Sequence, residues 1–525
     1  MFERRQKHLD MVHRQLKKYF DRVPPYIFYT ALPQMISRIS HPHPKVYEVL
    51  ATIISKIVST HPSQALWSVL AVAKATLPER AKRGTEIINK LKDAKNRTKS
   101  DSAGLDLRTM IIQGQKLSDG LLQACEVHIE GRSTNISLSK DLGFSHKLAP
   151  SALVVPFESA LTANVPTVQD ASHIRHFKAF AQDRVTIQSF SDDVLVLSSL
   201  QRPRKLTLRG SDGKLYSILC KPKDDLRKDQ RLMEFNTMIN RALKRDAESS
   251  KRRLYIKTYG VTPLSEESGT IEWVEGIKPL RDILLKLYQR KGIQPNYTEL
   301  RVLLAEASAN SANVGVFTDK ILPMFPALLH EWFVEVFPEP DTWFAARLRY
   351  ARSAAVMSMV GHVLGLGDRH GENILLEEGT GGVFHVDFNC LFDKGLTFEK
   401  PELVPFRLTH NMVDAMGAYG YEGPFRRSSE LTLGLLRQHQ DTLMNILETF
   451  LHDPTTDFIG KKKRTTPGVP DTPQEVLDSV VGKLRGFLRG ESVPLSVEGH
   501  VEALITQAVD PWHLCQMYIG WCAFL

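Results

Sequence analysis

The sequence predicts an α+β fold in two lobes, a small β-rich one followed by a larger helical one. Three observations carry that expectation: residues 1–147 read as helices punctuated by proline, strand signals crowd between 185 and 275, and helices resume from 276, broken by one polar hairpin at 365–389. With 525 residues, the chain is also too long for one hydrophobic core.

In the first segment Leu9, Val12 and Leu16 fall on one helical face, and Val46, Leu50, Ile53, Ile54 and Ile57 on another. "STHPSQ" (59–64) breaks the chain before "ALWSVLAVAKA". Helix, Pro-containing turn, helix is the grammar of an α-solenoid, although no fixed repeat period is visible. Residues 148–184 read as a linker leading into the strands. "RVTIQSF", "DVLVLSS", "RKLTLRG" and "KLYSILCK" follow, the last two joined by a hairpin turn at Gly210-Ser211-Asp212-Gly213. Residues 226–243 are helical, with Leu232, Phe235, Ile239 and Leu243 on one stripe; "RLYIKTYGVTPL" and "GTIEWVEG" complete a small sheet by 275. The large lobe runs from 276 to 451. Residues 452–492 contain the basic, Pro-rich "GKKKRTTPGVPDTPQ", read as a mobile loop whose "KKKR" is a solvated charge run. Residues 493–525 form an apolar helix pair.

Composition narrows the class. Five cysteines without a C-x-x-C pair argue against a disulfide scaffold or a zinc site. The longest apolar run, 354–367, is too short to span a bilayer and reads as a buried helix. The start of the chain lacks the apolar core of a signal peptide. A net charge of +9 suits acidic partners such as nucleotides, but a solvated basic surface explains it equally well. A reduced, cytosolic or nuclear protein is expected.

The chemistry sits in "GLGDRHGENILLEEGTGGVFHVDFN". Asp368 and Asn373 lie on a loop leaving a buried helix, and Asp387 ends the strand "VFHVD". A hairpin turned near Gly381-Gly382 brings Asn373 and Asp387 to one end. Hard oxygen ligands on adjacent loops suit Mg2+, with Mn2+ as an alternative, and such an ion takes further oxygens from water and phosphate. Asp368 is then free to accept the proton of a substrate hydroxyl, and His370 to steady the transferred phosphoryl group. His370 with His385 would suggest a transition-metal pair, but no third ligand has the right spacing. The "GSDGK" stretch (210–214) lacks Walker spacing; it is read instead as a hairpin turn covering phosphates with backbone amides.

At these residues the chain resembles the phosphatidylinositol 3-kinase-related protein kinases, whose catalytic loop reads D-R-H rather than H-R-D. "CKPKDDLRKD", "EWV" and "HVDFNCLFDKG" are most similar to the ATR-type checkpoint kinases. The resemblance implies a bilobal protein/lipid-kinase-like fold, preceded by the α-helical end of a FAT solenoid (1–147) and followed by a helical FATC element (493–525). It also implies an ATP site. Lys221 would hold phosphate and Asp229 would orient it. Trp273 would stack on adenine, with backbone groups of Glu272 and Val274 at its edge, Tyr259 in the inner pocket, and Leu375 and Val386 on the floor. Asn389 stands where many relatives have Gly. The implied partners are Ser/Thr-Gln protein substrates, a regulatory subunit of the ATR-interacting-protein type in the full-length protein, and a second copy through the FAT and kinase regions. Nucleic acid contact would be indirect and the setting nuclear. A long N-terminal solenoid would be missing.

The same motif occurs in lipid kinases. The segment after Asp387 (388–406) sets Lys394 and Lys400 against Asp393, Glu399 and Glu402, net −1, and is otherwise apolar. That suits an extended peptide better than an inositol phosphate, so a serine/threonine protein kinase is expected. A phosphoinositide kinase and a catalytically silent scaffold awaiting an activator are the alternatives. In the tail, Trp512, Met517, Tyr518, Trp521 and Phe524 are expected to pack on their own domain, and Cys515 and Cys522 to be buried thiols rather than a redox pair.

Overall fold

The computed structural model describes residues 2–93, 106–129, 131, 133–166, 168, 170–180, 184–199, 201–453 and 468–525. "KKKR" (461–464) lies outside them. The chain divides into two compact units. The first comprises Met1–Met233, Tyr259–Val274 and Asp453–Thr456; the second comprises Glu234–Thr258, Glu275–His452 and Asp457–Leu525.

In the first unit, helices and sheet share one core instead of forming separate domains. Leu66, Val69, Leu117 and Leu121, from the helices Pro62–Val72 and Leu107–Glu126, are buried in the same cluster as Leu206, Leu208 and Ile218 of the sheet. Prolines at the first position begin Pro44–Thr60 and Pro62–Val72, where a missing N–H costs no intrahelical bond. Asp106 caps Leu107–Glu126 by accepting from Thr109 N–H.

The sheet is antiparallel, with strand order β1-β2-β3-β4-β6-β5. Its strands are β1 (Asn135–Ser137), β2 (Ile187–Val196), β3 (Arg204–Gly210), β4 (Leu215–Lys221), β5 (Val261–Pro263) and β6 (Gly269–Glu272). Three expectations are corrected here. The strand β1 falls inside the stretch read as helical. "RVTIQSF" and "DVLVLSS" make one bulged strand, not two. The third concerns "RLYIKTYGVTPL", where only Val261–Pro263 pairs as a strand. Upstream, in the second unit, the Asn240 side chain replaces a ladder partner, accepting from Ile256 N–H at 2.7 Å and donating to Ile256 O at 2.8 Å. The stripe Leu9-Val12-Leu16 does not face the core: Val12 and Leu16 are exposed and His13 is buried.

The second unit is helical around a small sheet of β7 (Ile277–Pro279), β8 (Ile374–Glu377) and β9 (Val383–His385), all antiparallel. Its central helix, Pro340–Leu364, is buried continuously from Ser353 and packs on Pro424–Gln438. Gly365 stops it in the left-handed conformation, φ 60°, which glycine adopts at little cost. The described part of 452–492 is not all loop: Pro473–Arg485 is a helix with a Thr472/Glu475 capping box. In the tail Met517, Trp521 and Phe524 are buried and Tyr518 is exposed, while Cys515 and Cys522 are free buried thiols.

Candidate active site

The two units each carry a set of the expected residues. In the first, alternation along the strands divides the sheet into two faces. Leu206, Leu208, Ile218 and Cys220 point into the core. Cross-strand partners share a face, and Lys205 pairs with Leu219, which pairs with Ile271. Lys221 and Trp273, two residues further along their chains, join that half-open face. Trp273 N–H donates to Ser217 O at 2.9 Å, and Lys205 Nζ lies 4.6 Å from the indole centroid. Lys221, Trp273 and two apolar residues unnoticed in the sequence, Leu219 and Ile271, therefore line one surface.

Lys221 Nζ is 2.5 Å from Asp224 Oδ2, a partner the sequence reading did not name. Asp229, the expected orienter, is buried in the first turn of Arg227–Arg245. Glu272 N–H is engaged with Gly260 O, so its backbone would offer an adenine edge a carbonyl. The Glu272 carboxylate accepts from Gly260 N–H at 2.7 Å and Glu158 N–H at 2.8 Å, fixing the end of β6. Tyr259 is buried.

The turn at Gly210–Gly213 is in the wrong place to cover phosphates. It lies beyond the far end of β4, whose first residue, Leu215, is six residues from Lys221, or roughly 20 Å at strand rise. Cys220 pairs with Arg204, which places the β2–β3 connection at the Lys221 end. Strand register settles this, and register is not readable from either turn alone.

In the second unit, Asp368, Asn373 and Asp387 converge as expected. Val386 N–H donates to Asn373 O at 3.1 Å, so the loops flanking β8 and β9 meet. The backbone of Asp368, at φ 60°, is held from both sides: its N–H donates to Glu402 Oε2 at 2.8 Å and its carbonyl accepts from Asn373 Nδ2 at 2.9 Å. Asn373 thus spends its amide N–H2 and keeps Oδ1. Asp387, also at φ 60°, is exposed and accepts from Asn389 N–H at 3.2 Å on Oδ1 alone. Left-handed aspartates cost on the order of 1 kcal/mol or more each and persist only where surroundings impose them.

The constraint comes largely from Arg369, the middle residue of D-R-H. Its buried guanidinium donates to Gly367 O at 2.9 Å, to Val386 O at 2.8 Å and to Asp387 O, tying the two loops together. Burial pulls its pKa down, but the carbonyls satisfy the charge. His370 Nδ1 accepts from Glu372 N–H, so the neutral ring carries its proton on Nε2, 3.9 Å from Asp368 Oδ1. Leu375 is buried and Val386 half-buried. The sequence reading missed Arg369 and Glu402; the first lay in the motif itself, the second 34 residues downstream.

The donor set fits a hard divalent ion: Asn373 Oδ1 and the Asp387 carboxylate are oxygen ligands on adjoining loops. Among the described residues no group of three or more His, Cys, Asp or Glu side chains is built to hold a metal alone. Two protein oxygens are the usual complement for an ion that takes the rest from phosphate and water.

A β-rich surface bearing Lys221 and Trp273 and a D-R-H-x-x-N/D-F constellation are the marks of the phosphatidylinositol-kinase class of phosphotransferase folds. Residues 215–459 match the family described as phosphatidylinositol 3- and 4-kinase, and 494–525 match the FATC domain. Residues 11–105 match HEAT repeats of the ATR-like serine/threonine-protein kinases, a segment read in the sequence as a FAT end. Protein kinase rad3 of Schizosaccharomyces pombe is 48% identical over 99% of this chain and 22% of its own length. Serine/threonine-protein kinase ATR of Arabidopsis thaliana is 42% identical over 95% of this chain and 18% of its own. The FAT and kinase domain of CtTel1 superposes with a TM-score of 0.80 at 27% identity, covering 98% of this chain and 35% of that one. Over nearly its whole length the chain is similar to ATR-type members of the phosphatidylinositol 3-kinase-related kinases, and it spans about a fifth of the curated relatives it matches.

Proposed function

We propose that this chain transfers the γ-phosphoryl group of ATP to serine or threonine of protein substrates, with Mg2+, in checkpoint signalling in the nucleus. Asp368 accepts the proton of the acceptor hydroxyl, and the Nε2–H of His370 stabilises charge on the phosphoryl group. Asn373 and Asp387 hold the metal, which when bound neutralises phosphate charge. Lys221, oriented with help from Asp229 and Asp224, holds phosphate beneath the β2–β3 connection. Trp273, Tyr259, Glu272, Val274, Leu375 and Val386 take adenine. The single observation behind this reading is the buried Arg369, which locks the loops carrying Asp368, Asn373 and Asp387 into one rigid set.

Protein rather than lipid is favoured by the 388–406 segment, whose two lysines face three carboxylates. Preference for Gln after the acceptor, a regulatory subunit of the ATR-interacting-protein type and self-association follow from the family. One solved relative is described as the complete CtTel1 dimer with C2 symmetry. Two dipeptides of the preferred kind occur: Ser63-Gln64 is buried, whereas Thr506 is exposed on the helix Val497–Val509.

The test is transfer from ATP with Mg2+ to a Ser-Gln peptide, its Ser-Ala twin and phosphoinositide vesicles. Asp387→Ala and Asp368→Ala are expected to lower kcat by at least about 1,000-fold with an unchanged unfolding midpoint. Lipid transfer would overturn the acceptor assignment, and normal turnover by Asp387→Ala would overturn the site.

A further inference from the structure

The segment following Asp387 begins by docking on the end of the helix Pro340–Leu364. Phe392 N–H donates to Leu364 O at 2.8 Å and Asp393 N–H to Gly365 O at 2.9 Å. Both residues are left-handed, with φ of 58° and 61°, a conformation that L-residues adopt in succession only when something compels it. Gly365 admits the contact, because an added Cβ would collide with the backbone N of Asp393.

Lys483 holds the second of these residues from the other side. Near the end of Pro473–Arg485, it places Nζ 2.8 and 2.9 Å from the two carboxylate oxygens of Asp393 and 3.1 Å from His362 O. The pair is largely withdrawn from water, with Lys483 15% and Asp393 23% exposed. His362 belongs to the last turn of its helix, where the dipole favours a cation. One ammonium thus bonds the helix end that launches the catalytic loop and the segment that follows the metal loop. The pair also forms part of the wall of a cavity of about 480 Å3 lined by Gly367, the residue before Asp368, and by Glu402 and Val404.

We propose that Lys483 is a positioning residue for phosphoryl transfer: by holding Asp393 against the helix end, it fixes the 388–406 segment, read above as the surface that receives the acceptor peptide, and with it the cavity that this segment lines next to Gly367. The role rests on the kinase reading above. Lys483 touches no reacting atom, so its loss disturbs use of the acceptor and spares ATP. A lysine that only stabilised the fold would affect both alike.

The full chain and its Lys483→Met, Lys483→Arg, Asp393→Asn and Lys483→Met/Asp393→Asn variants are assayed with ATP, Mg2+ and a Ser-Gln peptide, alongside amide exchange at Phe392 and Asp393. Lys483→Met and Asp393→Asn are each expected to lower kcat/KM for peptide at least fivefold, with KM for ATP within twofold. The double variant loses no more than either single one, and Lys483→Arg recovers at least half. Exchange at 392–393 quickens at least tenfold in Lys483→Met before any substrate is added. Peptide kinetics within twofold of the parent, equal losses for ATP and peptide, or unchanged exchange would each overturn the proposal. Silence of the parent, matched by Asp387→Ala, would instead sink the kinase reading and the role with it. Asp393→Asn, nearly isosteric, keeps the test decisive if Lys483→Met fails to fold.

Discussion

Asp368 is aimed by its backbone. Its left-handed φ, its N–H on Glu402 and its carbonyl on Asn373 fix the main chain, so that the carboxylate is the group left for the role proposed for it. Glu402 carries a consequence for pH. Burial raises its carboxyl from the ordinary 4.5 to about 7. Between those values the folded chain binds the proton more tightly than the unfolded chain, so the contribution is complete below 4.5 and is lost as pH rises through 7. At about 1.4 kcal/mol per unit, the loss is on the order of 3 kcal/mol at most. Glu402→Gln is expected to flatten the pH dependence of thermal unfolding between about pH 5 and 8 and to raise the midpoint above pH 7. A slope matching the parent's would show that Glu402 does not titrate there.

At the scale of elements, hairpins and caps decide what the site residues can reach. The β8–β9 hairpin closes through Gly381 at φ 73°, where a Cβ would lie 2.8 Å from Ala346 O. That turn puts Asn373 and Asp387 at one end, and its glycines made it legible in advance. The helix bearing Lys483 starts with the Thr472/Glu475 box, in which Thr472 Oγ1 accepts from Glu475 N–H at 3.2 Å. Thr472→Ala is expected to cost about 1 kcal/mol, read as faster amide exchange in the first turn of Pro473–Arg485. Protection equal to the parent's would show that packing, not the cap, holds the helix start. Elsewhere local pattern misled. "RLYIKTY" has the composition of a strand, but Asn240 takes both backbone groups of Ile256.

At the scale of the whole chain, the tail is tied to the site through Arg407. This guanidinium is buried and donates to Trp521 O at 2.7 Å, Cys522 O and Leu525 O at 3.0 Å, and more weakly to Arg369 O at 3.4 Å. It lies 4.4 Å from the Trp521 ring centroid, and burial lowers its pKa to about 10. Deleting residues 522–525 removes two acceptors from a buried cation, a loss of about 3–5 kcal/mol by analogy with broken buried ion pairs. The expected result is an unfolding midpoint lower by several degrees, measured by calorimetry. An unchanged midpoint would show that the tail is dispensable to the fold.

Helical period, glycine turns and the D-R-H-x-x-N/D-F spacing belong to stretches of a few residues to a few tens, so the sequence alone disclosed the α+β class, a buried helix over the 354–367 run, both hairpins and the loops that bring Asn373 and Asp387 to one end. Which turn lies beside Lys221, that Asp224 pairs with it, that Arg369 bonds three carbonyls and that Lys483 reaches Asp393 were decided only when the chain folded. Each depends on strand register or on a partner distant in sequence. A buried polar group takes whatever acceptor the tertiary packing brings to it.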